Sequence, residues 1–264
     1  MNEFRPTLEI AYRDADAFRR YWAAELAQAG ARLLGGLPLQ EADRVLDIGA
    51  GIGVNVPGIH AAAPRALVVA ADLVEAMIRA APPDARRVCV DAMAICFDDD
   101  VFDAVLMAFM LFHVPEPARA LAEARRVLRP GGRVAVGSWF APAEVDEPDA
   151  IWNEALDEAG APPIASAMSK LPLMATPEKL AALLEANGFT EIRTGSEEFV
   201  DSISGAAEFV ERRTRLGTTS VRFASLSPDA RTTCLERARA ALERLPPDRF
   251  FTRDSAIFAW ARRP

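Results

Sequence analysis

The chain has 264 residues, 51% of them hydrophobic and 26% charged, which is material for one large globular unit and excludes a disordered or fibrous chain. The formal net charge is −8, and Lys170 and Lys179 are its lysines, so the basic residues are nearly all arginine, as in a GC-rich genome; an acidic chain repels a phosphate backbone, and nucleic acid is not expected as a partner. Cys89, Cys96 and Cys234 lack metal spacing, the N-terminus lacks the apolar core of a signal peptide, and no apolar run is long enough to span a bilayer, so no metal, no membrane and a reducing, cytoplasmic setting are expected.

In chain order, Phe18, Trp22, Leu26 and Leu33-Leu34 recur at helical spacing and predict a helix over 15–37, stopped by Gly35-Gly36. From residue 44 the pattern changes. Short apolar, β-branched runs predict strands at 44–49, 66–71, 87–90, 104–108 and 133–138, alternating with helices at 54–63, 74–81 and 117–128. Such alternation implies right-handed βαβ units and a mostly parallel sheet covered on both faces. Residues 141–175 break the alternation and read as an insertion. Thr176-Pro177 is a helix start, and Asn187-Gly188 its end. A sixth strand is predicted at 189–200, helix over 205–245 with a cap at Ser227-Pro228, and a final strand at 255–261. The chain reads as a single domain over 1–264. Its core comes from about 37–140, 176–200 and 251–264, and a helical cap from 1–36, 141–175 and 201–250.

The chemistry concentrates in VLDIGAGIGVN, residues 45–55. Gly49, Gly51 and Gly53 follow a buried strand, where a missing Cβ lets the backbone turn sharply and approach a ligand. The following helix then presents free N–H groups. A dinucleotide fingerprint would need glycine at position 54, and the residue is Val54. Asp47, two residues before the first glycine, suits a cationic ligand and would repel a pyrophosphate. Asp72, at the end of the second strand, is placed to accept from ribose hydroxyls, which fits nicotinamide and S-adenosylmethionine sites alike; as a plain helix cap it would need no ligand. Asp91, after the third strand, is placed for an adenine amino group or for solvent.

Two further segments complete the pattern: FDAVLMAFMLFHVPEP at 102–117, and RVLRPGGRVAV at 126–136, where Pro130-Gly131-Gly132 turns into the fifth strand. In this order and spacing the segments resemble class I S-adenosylmethionine-dependent methyltransferases, most closely the small-molecule branch that includes quinone-biosynthesis and natural-product enzymes. The resemblance covers about residues 44–138. It implies a Rossmann-like, doubly wound, seven-stranded α/β sheet, with the last strand antiparallel beside the sixth. It also implies roles. Asp47, Gly49, Ala50 and Gly51 would line the methionine part of the donor, and Asp72 would hold its ribose. Leu73 and Met77 would lie beside the adenine, Asp91 and Ala92 at its edge, and Met93 on its face. Ala108 and Phe109 would lie near the amino-acid portion. The chain departs from many relatives where it has Phe112-His113 in place of two histidines, and Ser138 where some have an acid after the fifth strand.

The expected reaction is S-adenosylmethionine-dependent methyl transfer to a small-molecule acceptor, hydrophobic or aromatic, on oxygen or carbon rather than nitrogen. A non-methylating enzyme or regulatory subunit that binds the same molecule is the alternative. His113 is the candidate general base, since imidazole titrates near neutrality, although a histidine in an apolar run also serves as a packed side chain. Trp139 and Phe140, just past the fifth strand, are the candidate acceptor contacts. Tyr12, Phe18, Tyr21, Trp22 and Trp152 either pack the core or shape the same pocket. Asp98-Asp99-Asp100 reads as a solvated turn, and His60 as an ordinary helix residue.

Overall fold

A computed structural model describes residues 4–140, 145–163 and 170–264. Seven strands form one sheet: β1 Arg44–Ile48, β2 Leu67–Asp72, β3 Arg86–Cys89, β4 Phe102–Ala108, β5 Leu128–Trp139, β6 Thr190–Ser202 and β7 Phe251–Arg262. Their order is β3-β2-β1-β4-β5-β7-β6. Pairs from β3 through to β5 are parallel, and β7 runs antiparallel between β5 and β6. This is the doubly wound sheet with an antiparallel last strand that the motifs implied. The order reverses between β1 and β4, so their carboxyl ends open a crevice where ligands of such sheets bind. Val45, Leu46, Val105, Leu106, Val134 and Val136 are fully buried at the centre of the core.

Helices α1 Phe4–Ala11, α2 Ala15–Tyr21 and α3 Ala23–Gly35 precede the sheet. The helix expected over 15–37 is therefore two. It breaks at Trp22, whose φ of −120° leaves the helical range, and whose ring meets those of Tyr12 and Phe18 edge-on at 6.4 and 5.7 Å. Around the sheet lie α4 Val56–Ala62, α5 Glu75–Arg79, α6 Pro117–Val127 and α8 Pro177–Ala186, with α7 Glu147–Glu158 inside the insertion. Thr176 caps α8 by accepting the Lys179 N–H at 3.2 Å. Strand β5 starts before Pro130-Gly131-Gly132 rather than after it; Gly131 N–H donates to Arg263 O and Arg263 N–H to Gly132 O, both at 2.9 Å, which ties the turn to the end of β7. The acidic turn is exposed but paired: Asp99 meets Arg126 at 2.8 Å, and Asp100 meets Arg263.

The helical run expected over 205–245 is three helices, α9 Ala206–Arg215, α10 Gly217–Ala224 and α11 Pro228–Leu242. The first break falls at Gly217, at φ 68°, where a Cβ would lie 3.1 Å from the Trp22 ring. Ser227 caps α11 through the Ala230 N–H. These helices and α7 bury an apolar cluster of their own around Trp152, Leu156, Phe209, Cys234 and Leu242. A smaller cluster joins Phe18 and Tyr21 of α2 to Ile52, Met77 and Leu216. It fastens the N-terminal helices over the glycine turn.

Candidate active site

The turn after β1 is built from left-handed glycines: Gly49, Gly51 and Gly53 have φ of 71°, 57° and 75°. At Gly49 a Cβ would come 2.5 Å from the Met110 side chain. Gly49 and Ala50 N–H donate to Ala71 O at 2.8 and 3.0 Å, so β1 and β2 end in register. Asp72 accepts from Gly51 N–H and Val74 N–H, both at 2.8 Å, one on each carboxylate oxygen. The two bonds fix the carboxylate plane and leave a lone pair on each oxygen. Burial holds the Asp72 pKa above its ordinary value, against the pull of the Val74, Gly51 and Leu73 N–H groups.

This turn forms one wall of a cavity of about 590 Å³. Gly49, Ala50, Gly51, Asp72, Leu73 and Met77 line it, as do Asp91 and Ala92 after β3. Asp91 accepts the Met93 N–H at 2.8 Å through Oδ1. Across the switch point Ala108, Phe109, His113 and Trp139 line the same space. Phe109 sits in the left-handed region at φ 55°, a strained conformation for an aromatic residue that costs about 1–3 kcal/mol. Its ring stacks on Trp139 at 4.2 Å, and Gly137 leaves room for it, since a Cβ there would lie 3.2 Å from the Phe109 ring.

Asp47, Met93 and Phe140 do not line the cavity. Met93 is buried in the sheet core, and Phe140 is tied to β7 through its N–H to Ser255 O at 2.8 Å. Asp47 is wholly buried under the glycine turn. Its Oδ2 is 3.5 Å from the Asn55 amide nitrogen, and its Oδ1 has no partner among the described residues. Burial pushes its pKa up to about 7, with nearby Asp72 adding to the effect and the Asn55 contact opposing it. Asn55 does line the cavity, and its own Oδ1 is buried and unpartnered. It packs so closely on α3 that a Cβ on Gly30 would lie 1.9 Å from that oxygen.

The remaining wall comes from dispersed segments. Phe4, Leu8 and Tyr12 enter from α1 and the residues after it, Phe18, Trp22, Glu25 and Leu26 from α2 and α3, and Arg212 and Arg213 from α9. Tyr12 Oη lies 2.7 Å from His113 Nε2, with the rings edge-on at 5.4 Å. Burial lowers the His113 pKa to about 4 and raises that of Tyr12 above its ordinary value, Asp72 contributing to the latter. The ring is therefore neutral near pH 7 and the tyrosine keeps its proton; with the imidazole proton on Nδ1, Nε2 accepts from the Tyr12 hydroxyl. Tyr21 and Trp152, by contrast, are buried away from the cavity. Among the described residues no group of three or more His, Cys, Asp or Glu side chains could hold a metal, and no helix is long and apolar enough to cross a membrane.

Residues 46–136 match the family model of a methyltransferase domain. The chain is 34% identical over 186 residues to a demethylmenaquinone methyltransferase of Mycolicibacterium vanbaalenii, covering 66% of this chain and 77% of that one. Its fold resembles phosphoethanolamine N-methyltransferase 2 of Haemonchus contortus, solved with phosphomonomethylethanolamine and S-adenosylhomocysteine, at a TM-score of 0.59 and 20% identity, over 100% of this chain and 61% of that one. It also resembles the cyclase SpnF, at a TM-score of 0.55 and 22% identity, over 95% and 84% of the two chains.

Proposed function

The chain belongs to the class I S-adenosylmethionine-dependent methyltransferases, and from that premise we propose that it methylates oxygen or carbon of an aromatic small molecule bound between α1–α3 and the strand ends. One observation carries this reading: a single cavity joins the glycine turn and Asp72 to the buried Tyr12–His113 pair and the Phe109–Trp139 stack. The relatives named demethylmenaquinone methyltransferases support an aromatic acceptor.

The residues fit the donor. Asp72 keeps accepting capacity for ribose hydroxyls, and Asp91 keeps an oxygen beyond its bond to Met93. When bound, the donor supplies an electrophilic methyl on a sulfonium, with a neutral thioether as leaving group. The protein's task is then to hold the acceptor in line, which contributes up to about 7–11 kcal/mol. An acceptor hydroxyl or carbon acid must also lose a proton. Tyr12 Oη takes that proton while its own passes to His113 Nε2 along the 2.7 Å hydrogen bond. Tyr12 touches the acceptor and His113 receives the charge. A neutral amine acceptor would not require this pair before attack. The cap helices and the aromatic wall exclude water from the reacting atoms.

The test is release of S-adenosylhomocysteine from S-adenosylmethionine in the presence of a panel of naphthols, naphthohydroquinones and aryl amines. Turnover with a phenolic or hydroquinone member supports the proposal. Tight donor binding without product on any member favours a non-methylating role, the role for which the fold shared with a cyclase leaves room.

A further inference from the structure

Glu25 on α3 lines the cavity, and its Oε1 is buried with no hydrogen-bond partner among the described residues. An unpaired buried oxygen of this kind costs about 1–3 kcal/mol, so a side chain that keeps it needs a reason. The arginines that line the cavity with it each have a carboxylate nearer at hand. Arg212 is held by Asp201 at 2.7 Å and by Glu208, and lies over the Tyr21 ring. Arg213 is held in a two-bond grip by Asp149, at 2.6 and 2.7 Å. Arg253 reaches Glu198 at 3.8 Å. The Asp254 carboxylate, near the start of β7, lines the cavity, raises Glu25, and makes no side-chain hydrogen bond or ion pair among the described residues, with Arg213 as its opposing charge; Asp146 lines the same cavity. After the pairs are counted, Glu25 and Asp254 have no direct cationic partner among the described residues, Arg212 and Arg213 acting on them only from a distance, and Trp22, three residues before Glu25, lines the same cavity.

We propose that Glu25, with Asp254 beside it, binds a protonated amine carried by the methyl acceptor, as a recognition handle separate from the atom that is methylated. This rests on the reading of the cavity as a methyl-transfer site, and it sets the acceptor apart from an uncharged aromatic ring. The electrostatics agree. Burial, with the charges of Asp254 and Asp201, pushes the Glu25 pKa up to about 7, against the opposing pull of Arg212; burial likewise raises Asp254. A bound ammonium would pair with the Glu25 carboxylate and relieve the repulsion between the two acids, and the Trp22 ring would take the hydrocarbon next to it. A neutral acceptor would leave both acids unmatched. The donor half has carboxyls of its own, Asp72 and Asp91 after β2 and β3.

The experiment uses the full chain saturated with S-adenosylhomocysteine at pH 8, titrated with phenethylamine and with its uncharged counterpart 2-phenylethanol. The expected result is that the amine binds at least about tenfold tighter, and that E25Q loses this preference while keeping its affinity for S-adenosylhomocysteine. Equal affinity for the two probes, no binding of either, or a preference that survives in E25Q overturns the proposal. Weakened S-adenosylhomocysteine binding by E25Q also overturns it, because the carboxyl would then serve the donor. Failure of the wild-type chain to bind S-adenosylhomocysteine at all is a different result; it removes the methyl-transfer reading itself, and this inference with it.

Discussion

At the proposed donor end of the cavity the wall is mostly backbone: the left-handed Gly49 and Gly51 with Ala50 between them, and a carboxylate clamped by N–H groups. At the acceptor end the wall is side chain, with Tyr12, Trp22, Glu25, Trp139, Arg213 and Asp254 reaching in from segments far apart in sequence. The donor end is anchored to the sheet core. The other end rests on α7 and α9–α11, which bury an apolar cluster of their own around Trp152 and Phe209. A backbone-built site tolerates few changes, because a Cβ at Gly49 already collides with Met110. A side-chain site can be altered one residue at a time without touching the donor, so the same frame can serve different acceptors.

The largest effect that would sharpen this contrast lies in the reaction itself. Tyr12→Phe and His113→Ala should each lower kcat by about 10²–10⁴-fold, the usual contribution of a proton acceptor. S-adenosylhomocysteine affinity should stay nearly constant in calorimetry, since neither side chain belongs to the glycine turn. An equal loss of donor affinity would break the division into two ends. The sign of the pH dependence also separates a Tyr–His relay from a free imidazole: with His113 held at about 4, the rate should not fall between pH 7 and pH 5.5 through protonation of that ring.

A smaller effect tests the donor end for stability. The Asp47 pKa is raised from 3.8 to about 7, so folding favours its neutral form. Its stabilising contribution is complete below about pH 4 and is lost as pH rises through 7. In ligand-free protein Asp47→Asn should therefore raise Tm at pH 8 by on the order of 5 °C and have no effect near pH 4. A lower Tm at pH 8 would mean that the carboxylate is held ionised.

The donor end was legible because one contiguous segment makes it. Glycines at 49, 51 and 53 behind a β-branched strand require a tight turn wherever they occur, and Asp72 follows from the end of the next strand. The parallel part of the sheet was legible from the alternation of short apolar runs with helices, while its antiparallel last strand came only with the resemblance to the methyltransferase family. The acceptor end was not. Glu25 sits in a stretch that reads as one amphipathic helix, and its inward position depends on the break at Trp22. Asp254 falls just outside the strand expected at 255–261; β7 starts at Phe251 because it pairs with β6 along its whole length. Tyr12 becomes informative only when it meets His113, 101 residues away. Asn55 did carry a signal, an amide at the mouth of the helix after the glycine turn. Asp47 carried one too, but its charge pattern said nothing of depth, and its side chain lies beneath the turn and not in the cavity.

Titration of ligand-stripped protein with S-adenosylhomocysteine, by calorimetry and in parallel for wild type and Gly49→Ala, tests the donor end most directly. The expected result is one-to-one binding by the wild type and at least about a hundredfold weaker binding by the variant, the cost of a Cβ at a left-handed position against Met110. Equal affinities in the two proteins, or no heat from the wild type, would contradict the account.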